Sequence, residues 1–163
     1  MSKPENRGWA ALSFVAFVFL LDVGSKEAIV SYFQLHESIP VATFFNLGYW
    51  LNPGAAFSFL SDAGGWQRYF FSAIALGVVI CLCFALWNNA SLKMSSQAAF
   101  ALVAGGAAGN LYDRITRGAV VDWIDLHVAN WHWPAFNIAD CAIVAGAAIL
   151  VISQAGAKSH RDE

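Results

Sequence analysis

Charged side chains are scarce in this sequence. Asp, Glu, Lys and Arg make up 12% of the 163 residues, whereas 58% of the residues are hydrophobic. Soluble domains carry roughly 25% charged and 45–50% apolar residues. The shortage of charge therefore argues against an ordinary soluble domain and favours a membrane protein, and the length is that of one domain.

Basic runs are missing as well. The formal net charge is −2, and no stretch of the chain concentrates its Lys and Arg residues. Proteins that bind nucleic acid neutralise phosphate groups with clustered basic side chains. We therefore expect no nucleic-acid partner.

Cysteine is too sparse for a disulfide framework. The chain has three cysteines, Cys81, Cys83 and Cys141, and each lies inside an apolar run. Helical residues two positions apart point to different sides, so Cys81 and Cys83 make a poor metal-binding pair. We interpret all three as small apolar packing residues, as free cysteine usually is.

A signal-peptide cleavage site is also missing. Lys3 and Arg7 precede an apolar core, as in a secretory signal, but Asp22 and Lys26 occupy the place where small residues should lie. We expect this first segment to stay uncut. Because no cysteine follows closely, we do not expect the chain to be a lipoprotein precursor itself.

Four stretches are apolar over the roughly 20 residues that a membrane-spanning helix needs. They cover residues 9–30, 69–87, 96–115 and 136–154. The connections 31–68 and 116–135 hold few Lys and Arg residues, whereas the pieces on the terminal side hold more. The positive-inside rule therefore places both termini in the cytoplasm and these two connections outside.

The sequence of the first outer connection, residues 31–68, predicts some β-structure. Residues 44–52 are rich in aromatic and β-favouring side chains, which indicates a short strand or hairpin. A turn at 52–54 follows, and the apolar stretch 55–60 is predicted to lie on the membrane surface. The predicted fold class is an all-α membrane protein with four transmembrane helices and a small β-containing outer (periplasmic) loop region.

Two carboxyl groups stand out at the outer ends of the apolar segments, where ionisable groups are costly and commonly functional. Asp122 follows the third segment, and Asp140 lies one turn into the fourth. Two carboxyl groups that share a site rarely both ionise. The ionised one would take a proton from water, and the protonated one would donate to a peptide carbonyl. Alternatively, both residues are ordinary polar helix ends.

Further polar residues surround this pair in the sequence. Asn137 shares a helical face with Asp140 and either orients its carboxyl group or caps the fourth helix. Arg114 is a candidate counter-charge for a carboxylate, and Asp113 would then pair elsewhere. The alternative is that Asn110, Asp113 and Arg114 simply end the third span.

Asp22 and Lys26 are four residues apart, so we expect them to form an ion pair on one helix face. That pairing favours a structural role over catalysis. A nucleophile–base pair of Ser25 and Lys26 is disfavoured, because adjacent helical positions diverge. The small residues at 105–109 are expected to let helices approach closely.

A metal site has little support in the sequence. Asp122, Asp125, His127 and His132 lie close together but lack a recognised ligand spacing. A histidine at a membrane interface is more often a polar surface group. We expect neither a metal nor another cofactor.

Four blocks resemble the signature blocks of lipoprotein signal peptidases, the signal peptidase II family, in the family's order. They are residues 52–57 (NPGAAF), 106–114 (GAAGNLYDR), 120–124 (VVDWI) and 136–140 (FNIAD). The resemblance implies an aspartic endopeptidase of the bacterial inner membrane with Asp122 and Asp140 as its catalytic pair. It implies a prolipoprotein substrate that is cut just before a diacylglyceryl-modified cysteine.

The resemblance also implies which residues support the site. The expected substrate-binding or supporting residues are Asp22, Lys26, Asn52, Gly54, Asn110, Asp113, Arg114 and Asn137. The family usually has Gln directly after its first-helix acid, where this chain has Val23, so one local polar contact differs. The implied partners are the lipid-modified precursor and membrane lipid, and we expect a monomer.

Two functions of other classes remain open at this point. A small proton- or ion-coupled transporter also carries acids in its spanning segments, but its key acid commonly lies near the midplane within inverted repeats. Here the acids lie toward one face and no repeat is visible. In a non-catalytic membrane scaffold, the polar cluster would serve assembly instead.

Overall fold

A computed structural model describes residues 4–54, 64–89 and 92–159 of the chain, with side chains from residue 8 to residue 153. Four long helices dominate it. They are α1 (Pro4–Tyr32), α2 (Trp66–Asn88), α3 (Met94–Thr116) and α4 (Ile138–Ser159). Each corresponds to one predicted apolar stretch, which confirms a mostly helical protein.

The helix bounds differ from the predicted ones for local reasons. α1 begins five residues before the predicted start, at Pro4, a residue type that suits a first helical turn. α4 begins at Ile138 rather than at 136, because Phe136 pairs with Ile124 in an isolated β-bridge and Asn137 caps the helix. Apolar composition alone does not separate a bridge residue from the helix that follows it.

α3 is the central helix of the bundle and packs against the other three. Glycine and alanine give it a narrow surface. Gly105 lies against Val18 of α1, and Gly106 lies against the backbone of Ala139 in α4. The predicted packing role of these glycines is confirmed, because no larger residue leaves room for such close backbones.

Two described helices, Gly8–Tyr32 and Trp66–Asn88, are long and apolar enough to cross a membrane, and Ile138–Ser153 is a shorter apolar helix. α3 is less hydropathic, because its surface is built from small residues and its outer end carries polar side chains.

A four-stranded antiparallel sheet joins the two outer connections. Its strands, in spatial order, are β1 (Ser38–Ala42), β2 (Phe45–Asn52), β3 (Val120–Val128) and β4 (Trp131–His132). The predicted β-structure around 44–52 is confirmed as the β1–β2 hairpin. Residues 55–60, predicted to lie on the membrane surface, fall outside the described residues.

The pairing of β2 with β3 determines what lies next to Asp122. Trp50 pairs with Asp122 and Asn52 pairs with Val120 across the antiparallel ladder. Because neighbouring strands are only about 4.8 Å apart, this register places the end of the first connection beside the acid of the second.

Gly106→Ala tests the close contact between α3 and α4. A Cβ at this position would overlap the carbonyl oxygen of Ala139, so we expect a loss of roughly 1–3 kcal/mol in the free energy of unfolding. The melting temperature of purified protein in detergent measures it. Gly77→Ala on α2 is the matched control, because a Cβ there meets nothing within 4 Å. Equal melting temperatures for the two variants would contradict this packing.

Candidate active site

Asp122 lies near the start of β3 and is only 4% exposed. Each oxygen of its carboxyl group accepts a hydrogen bond from a side-chain amide. Asn137 Nδ2 donates to Oδ1 at 2.8 Å, and Asn52 Nδ2 donates to Oδ2 at 3.1 Å. The carboxyl group is therefore held by neutral donors that come from β2 and from the start of α4.

Asp140 lies in the first turn of α4. Its backbone N–H donates to Asn137 Oδ1 at 2.9 Å, which makes Asn137 the capping residue of the helix. Its side-chain Oδ1 accepts from Asn110 Nδ2 on α3, also at 2.9 Å. The capping alternative for Asn137 is thus confirmed, whereas the carboxyl group that its NH2 group holds is that of Asp122 and not that of Asp140.

The two acids line the same cavity and influence each other's charge. Burial raises the pKa of Asp122, and the negative charge of Asp140 raises it further, to about 7. The amide hydrogen bonds from Asn52 and Asn137 favour the ionised form, but they offset only part of this rise. An ordinary aspartate has a pKa of about 3.9, so Asp122 keeps its proton to a much higher pH than usual.

Lys26 of α1 is completely buried and is linked to Asp140 through Asn110. Its Nζ lies 2.7 Å from Asp22 Oδ2 and 3.2 Å from Asp113 Oδ2, which confirms the predicted ion pair and adds a second acid. The same Nζ donates to Asn110 Oδ1 at 2.9 Å. Because Lys26 binds the oxygen of this amide, the NH2 group of Asn110 points at Asp140.

Asp22 also ties α1 to α4, since its Oδ1 accepts the backbone N–H of Ala139 at 2.8 Å. Ser25 turns toward its own helix and donates to the carbonyl oxygen of Asp22 at 2.7 Å. Its hydroxyl is therefore not paired with Lys26. The polar groups of α1 support the site from below and do not form a nucleophile–base pair.

Asp113 pairs elsewhere, as predicted, and holds the strand that carries Asp122. Its Oδ2 accepts the N–H of Val121 at 3.0 Å, and its Oδ1 pairs with Arg117 at 2.7 Å. Arg117 in turn reaches Glu27 of α1 at 2.6 Å. The sequence interpretation missed Arg117 and Glu27 as parts of this network, although the four-residue spacing of Asp113 and Arg117 was a usable signal.

Arg114 contacts carbonyl oxygens in place of the predicted carboxylate. Its Nη2 donates to the oxygen of Gly54 at 2.9 Å, and its Nη1 lies 3.4 Å from the oxygen of Asn110. The guanidinium also stands over the ring of Phe71, 5.5 Å from its centroid. Within the described part of the chain, no carboxylate lies within ion-pair distance of Arg114, so it acts on the two acids only at longer range.

Two cavities, each of about 600 Å³, meet at Asp122. The one that we call the apolar cavity lies among α2, α3 and α4, and its walls include Phe71, Ile74, Val78, Val103, Ile143 and Val144. The outer cavity lies on the sheet side, and its walls include His36, Asn46, Trp50, Asp125 and His132. Asn52 and Asp122 border both, so the acid pair lies between an apolar space and a polar one.

The metal candidates do not surround Asp122. Asp125 pairs with His132 at 2.8 Å, and the ring of His132 stacks on that of His127 at the edge of the sheet. Among the described residues no three His, Cys, Asp or Glu side chains come together as a metal site. Cys81, Cys83 and Cys141 are free thiols, and Cys141 lines the apolar cavity beside Asp140.

Comparison with known proteins assigns the chain to a family. A family model described as signal peptidase (SPase) II matches residues 14–155. The chain belongs to the signal peptidase II family. The match covers most of α1 and α4, all of α2 and α3, and every site residue described above.

Individual relatives agree with this assignment. The chain is 47% identical over 152 residues to a lipoprotein signal peptidase of Yersinia enterocolitica, which covers 93% of this chain and 90% of the relative. It is 45% identical over the same length to a lipoprotein signal peptidase of Yersinia pestis. Both are full-length likenesses, so the resemblance extends far beyond the four sequence blocks.

Solved structures show the same fold. A bacterial membrane enzyme solved by the in meso method at 2.3 Å resolution superimposes with a TM-score of 0.82 at 30% sequence identity, covering 93% of this chain and 90% of that one. A second, solved by the same method at 1.9 Å, gives a TM-score of 0.75 at 30% identity. The arrangement of four helices and an outer sheet is therefore shared with these enzymes.

Lys26→Met tests the buried charge cluster. Removal of the ammonium leaves Asp22 and Asp113 buried without it, so we expect the free energy of unfolding to fall by roughly 3–5 kcal/mol. The matched control is Glu27→Gln on the same helix. It removes the half-exposed ion pair with Arg117, which should lower the free energy of unfolding by less than about 1 kcal/mol. Melting temperatures in detergent compare the two. A Lys26→Met variant as stable as the control would refute a structural role for this cluster.

Proposed function

We propose that this chain removes the signal peptide from diacylglyceryl-modified bacterial prolipoproteins by cutting just before the lipidated cysteine, with Asp122 and Asp140 as its catalytic pair. The observation that carries the proposal is the placement of two acids, each bound by side-chain amides, at the junction of an apolar and a polar cavity. The family and the printed names of its relatives support the substrate class.

The unequal environments of the two acids give each a role. Asp122, with its pKa raised to about 7, keeps its proton below that pH, and we assign the role of base to Asp140. Asp140 takes a proton from water as the water oxygen bonds to the scissile carbonyl carbon, and Asp122 donates its proton to the carbonyl oxygen. The tetrahedral intermediate then collapses: the C–N bond breaks as the leaving nitrogen receives the proton that Asp140 holds, and one hydroxyl of the intermediate returns a proton to Asp122 as the new carboxyl group forms.

The cavities suit a substrate that is partly in lipid and partly in water. The signal helix and the acyl chains fit the apolar cavity among α2, α3 and α4, and water reaches Asp122 from the outer cavity. A helical segment has its carbonyl groups hydrogen-bonded within the helix, so the cut segment must unwind first. We infer that the connection around 44–60, of which residues 55–60 lie outside the described residues, acts as a clamp for this unwound segment.

The membrane arrangement completes the proposal. All four helices span the inner membrane, both termini lie in the cytoplasm, and the acid pair lies toward the outer face as part of a single membrane domain that works as a monomer. The exposed apolar side chains of α2, such as Ile74, Ile80 and Phe84, support contact with lipid. Membership of a peptidase family leaves no support for the transporter alternative.

Replacing either acid tests the catalytic pair. We expect Asp122→Asn and Asp140→Asn each to lower the rate of cleavage of a lipid-modified precursor in detergent by roughly 100- to 10,000-fold, because each removes one proton-transfer group. Glu37→Gln is the control, since it makes the same replacement of a carboxyl group by an amide at an exposed position of the first connection. Cleavage at the wild-type rate by either Asn variant would exclude this mechanism.

The pH dependence of cleavage follows from the raised pKa of Asp122. Below pH about 7 this group is protonated and can donate, and above it the proton is lost. We therefore expect kcat/KM to fall tenfold for each pH unit well above 7. A rate that stays constant from about pH 6 to 9 would contradict the assignment of Asp122 as the acid.

A further inference from the structure

One short segment separates the two cavities. We call it the rim, and it consists of Trp133, Pro134, Ala135 and Phe136. The first three rim residues border both cavities, and Phe136 borders the apolar one. The rim connects β4 to Asn137, so any shift of it changes the walls on both sides of the acid pair.

The last residue of the rim is held by the backbone of β3. Phe136 donates its N–H to the oxygen of Ile124 at 3.1 Å. The oxygen of Phe136 accepts the N–H groups of both Trp123 and Ile124, each at 2.9 Å. This end is therefore anchored independently of the side chains in the rim.

The first residue of the rim depends on a much weaker element. β4 is only two residues long, and Trp133 adds one backbone hydrogen bond to Leu126 at 2.8 Å. Strands are usually about 3–10 residues long, so β4 offers few backbone hydrogen bonds to the sheet. The side chain of His132, at the end of β4, adds a contact to Asp125 of β3.

His132 contacts both oxygens of a buried acid. Its Nδ1 lies 2.8 Å from Asp125 Oδ1 and 2.9 Å from Oδ2, and Asp125 is only 6% exposed. Asn46 of β2 donates to the same carboxyl group at 2.7 Å. A buried carboxyl group needs such partners, so Asp125 ties β2, β3 and β4 together through side chains.

We propose that Asp125 and His132 are positioning residues that hold the rim in place and thereby set how the substrate fits beside the acid pair. Pro134 restricts the backbone of Trp133 to an extended conformation. Because this part of the backbone is stiff, the position of His132 determines where the following rim residues lie. The inference rests on the proposed peptidase function for its kinetic part, because the substrate must occupy the cavities that the rim separates.

Two substitutions at His132 separate its donor from its ring. His132→Phe keeps a ring that can stack on His127, at the present centroid distance of 4.9 Å, but loses the hydrogen bond to Asp125. His132→Asn loses the ring but keeps an N–H donor in the place of Nδ1. A purely steric role predicts that Asn is the worse replacement, whereas a positioning role predicts that Phe is.

The kinetic test uses full-length protein in detergent and a lipid-modified precursor peptide. We expect His132→Phe to raise KM roughly 3- to 10-fold, the effect of one lost anchoring hydrogen bond, with kcat within about twofold of wild type. His132→Asn should keep KM near the wild-type value. A loss confined to kcat, or equal KM values for wild type and both variants, would overturn the proposal.

Amide hydrogen exchange gives a readout that does not depend on activity. We expect the Trp133 amide to exchange several times faster in His132→Phe but not in His132→Asn, with unchanged rates in α3. If His132→Phe lowers protection from exchange throughout the protein, a second variant, His132→Gln, replaces it in the test. The Gln side chain moves the donor away from the Nδ1 position, and the same two quantities are measured, KM and the exchange rate of the Trp133 amide. Wild-type exchange at Trp133 in the Phe or deciding Gln variant would overturn the anchor.

The two proposals fail in different ways. If wild type cleaves the precursor and His132→Phe cleaves it with unchanged KM and exchange, only the positioning role is wrong. If wild type does not cleave the precursor at all, the proposed function is wrong, and the exchange of the Trp133 amide alone decides whether Asp125 and His132 anchor the rim.

Discussion

The rest of the site depends on one buried ammonium group. Lys26 has no exposed surface, and its Nζ is surrounded by Asp22, Asp113 and the amide oxygen of Asn110. A buried charge is tolerated only when its partners stay in place. This requirement brings α1 and α3 to a fixed separation, and Asp22 extends it to α4 through the backbone of Ala139. The orientation of Asn110, and with it the position of Asp140, follows from the same constraint.

Neutral amides, rather than cations, hold the two proposed catalytic acids. Asn52, Asn110 and Asn137 supply hydrogen bonds without adding positive charge. An arginine in direct contact would have favoured the ionised form and lowered the pKa of its partner. Arg114 is instead occupied by backbone oxygens, so burial and the charge of Asp140 keep the pKa of Asp122 raised to about 7. The site thus separates the task of orienting a carboxyl group from the task of setting its charge.

The sequence predicted the elements that depend on local composition, namely the helices and the hairpin. It predicted fewer of the contacts that depend on how distant strands and helices align. Apolar stretches predicted all four helices, and the 44–52 segment predicted a hairpin. The pairing of that hairpin with β3 is a contact between distant segments, and a strand register has no local signal here. The network of Arg117 and Glu27 was missed for the same reason, since it needs α1 beside α3. The resemblance of the sequence blocks to the family predicted Asp122 and Asp140 as a pair. Their spacing alone left open that both are ordinary polar helix ends.

The side chains that hold the acid pair come from segments far apart in the chain. Asn52 and Asp122 are 70 positions apart, Asn110 and Asp140 are 30 apart, and Asn137 joins β3 to α4. A chain whose last helix is not yet in place lacks both Asp140 and the Asn137 amide that holds one oxygen of Asp122. Under the proposed mechanism, cleavage therefore requires that α4 has packed against α3, so an incompletely folded chain does not yet act as a protease.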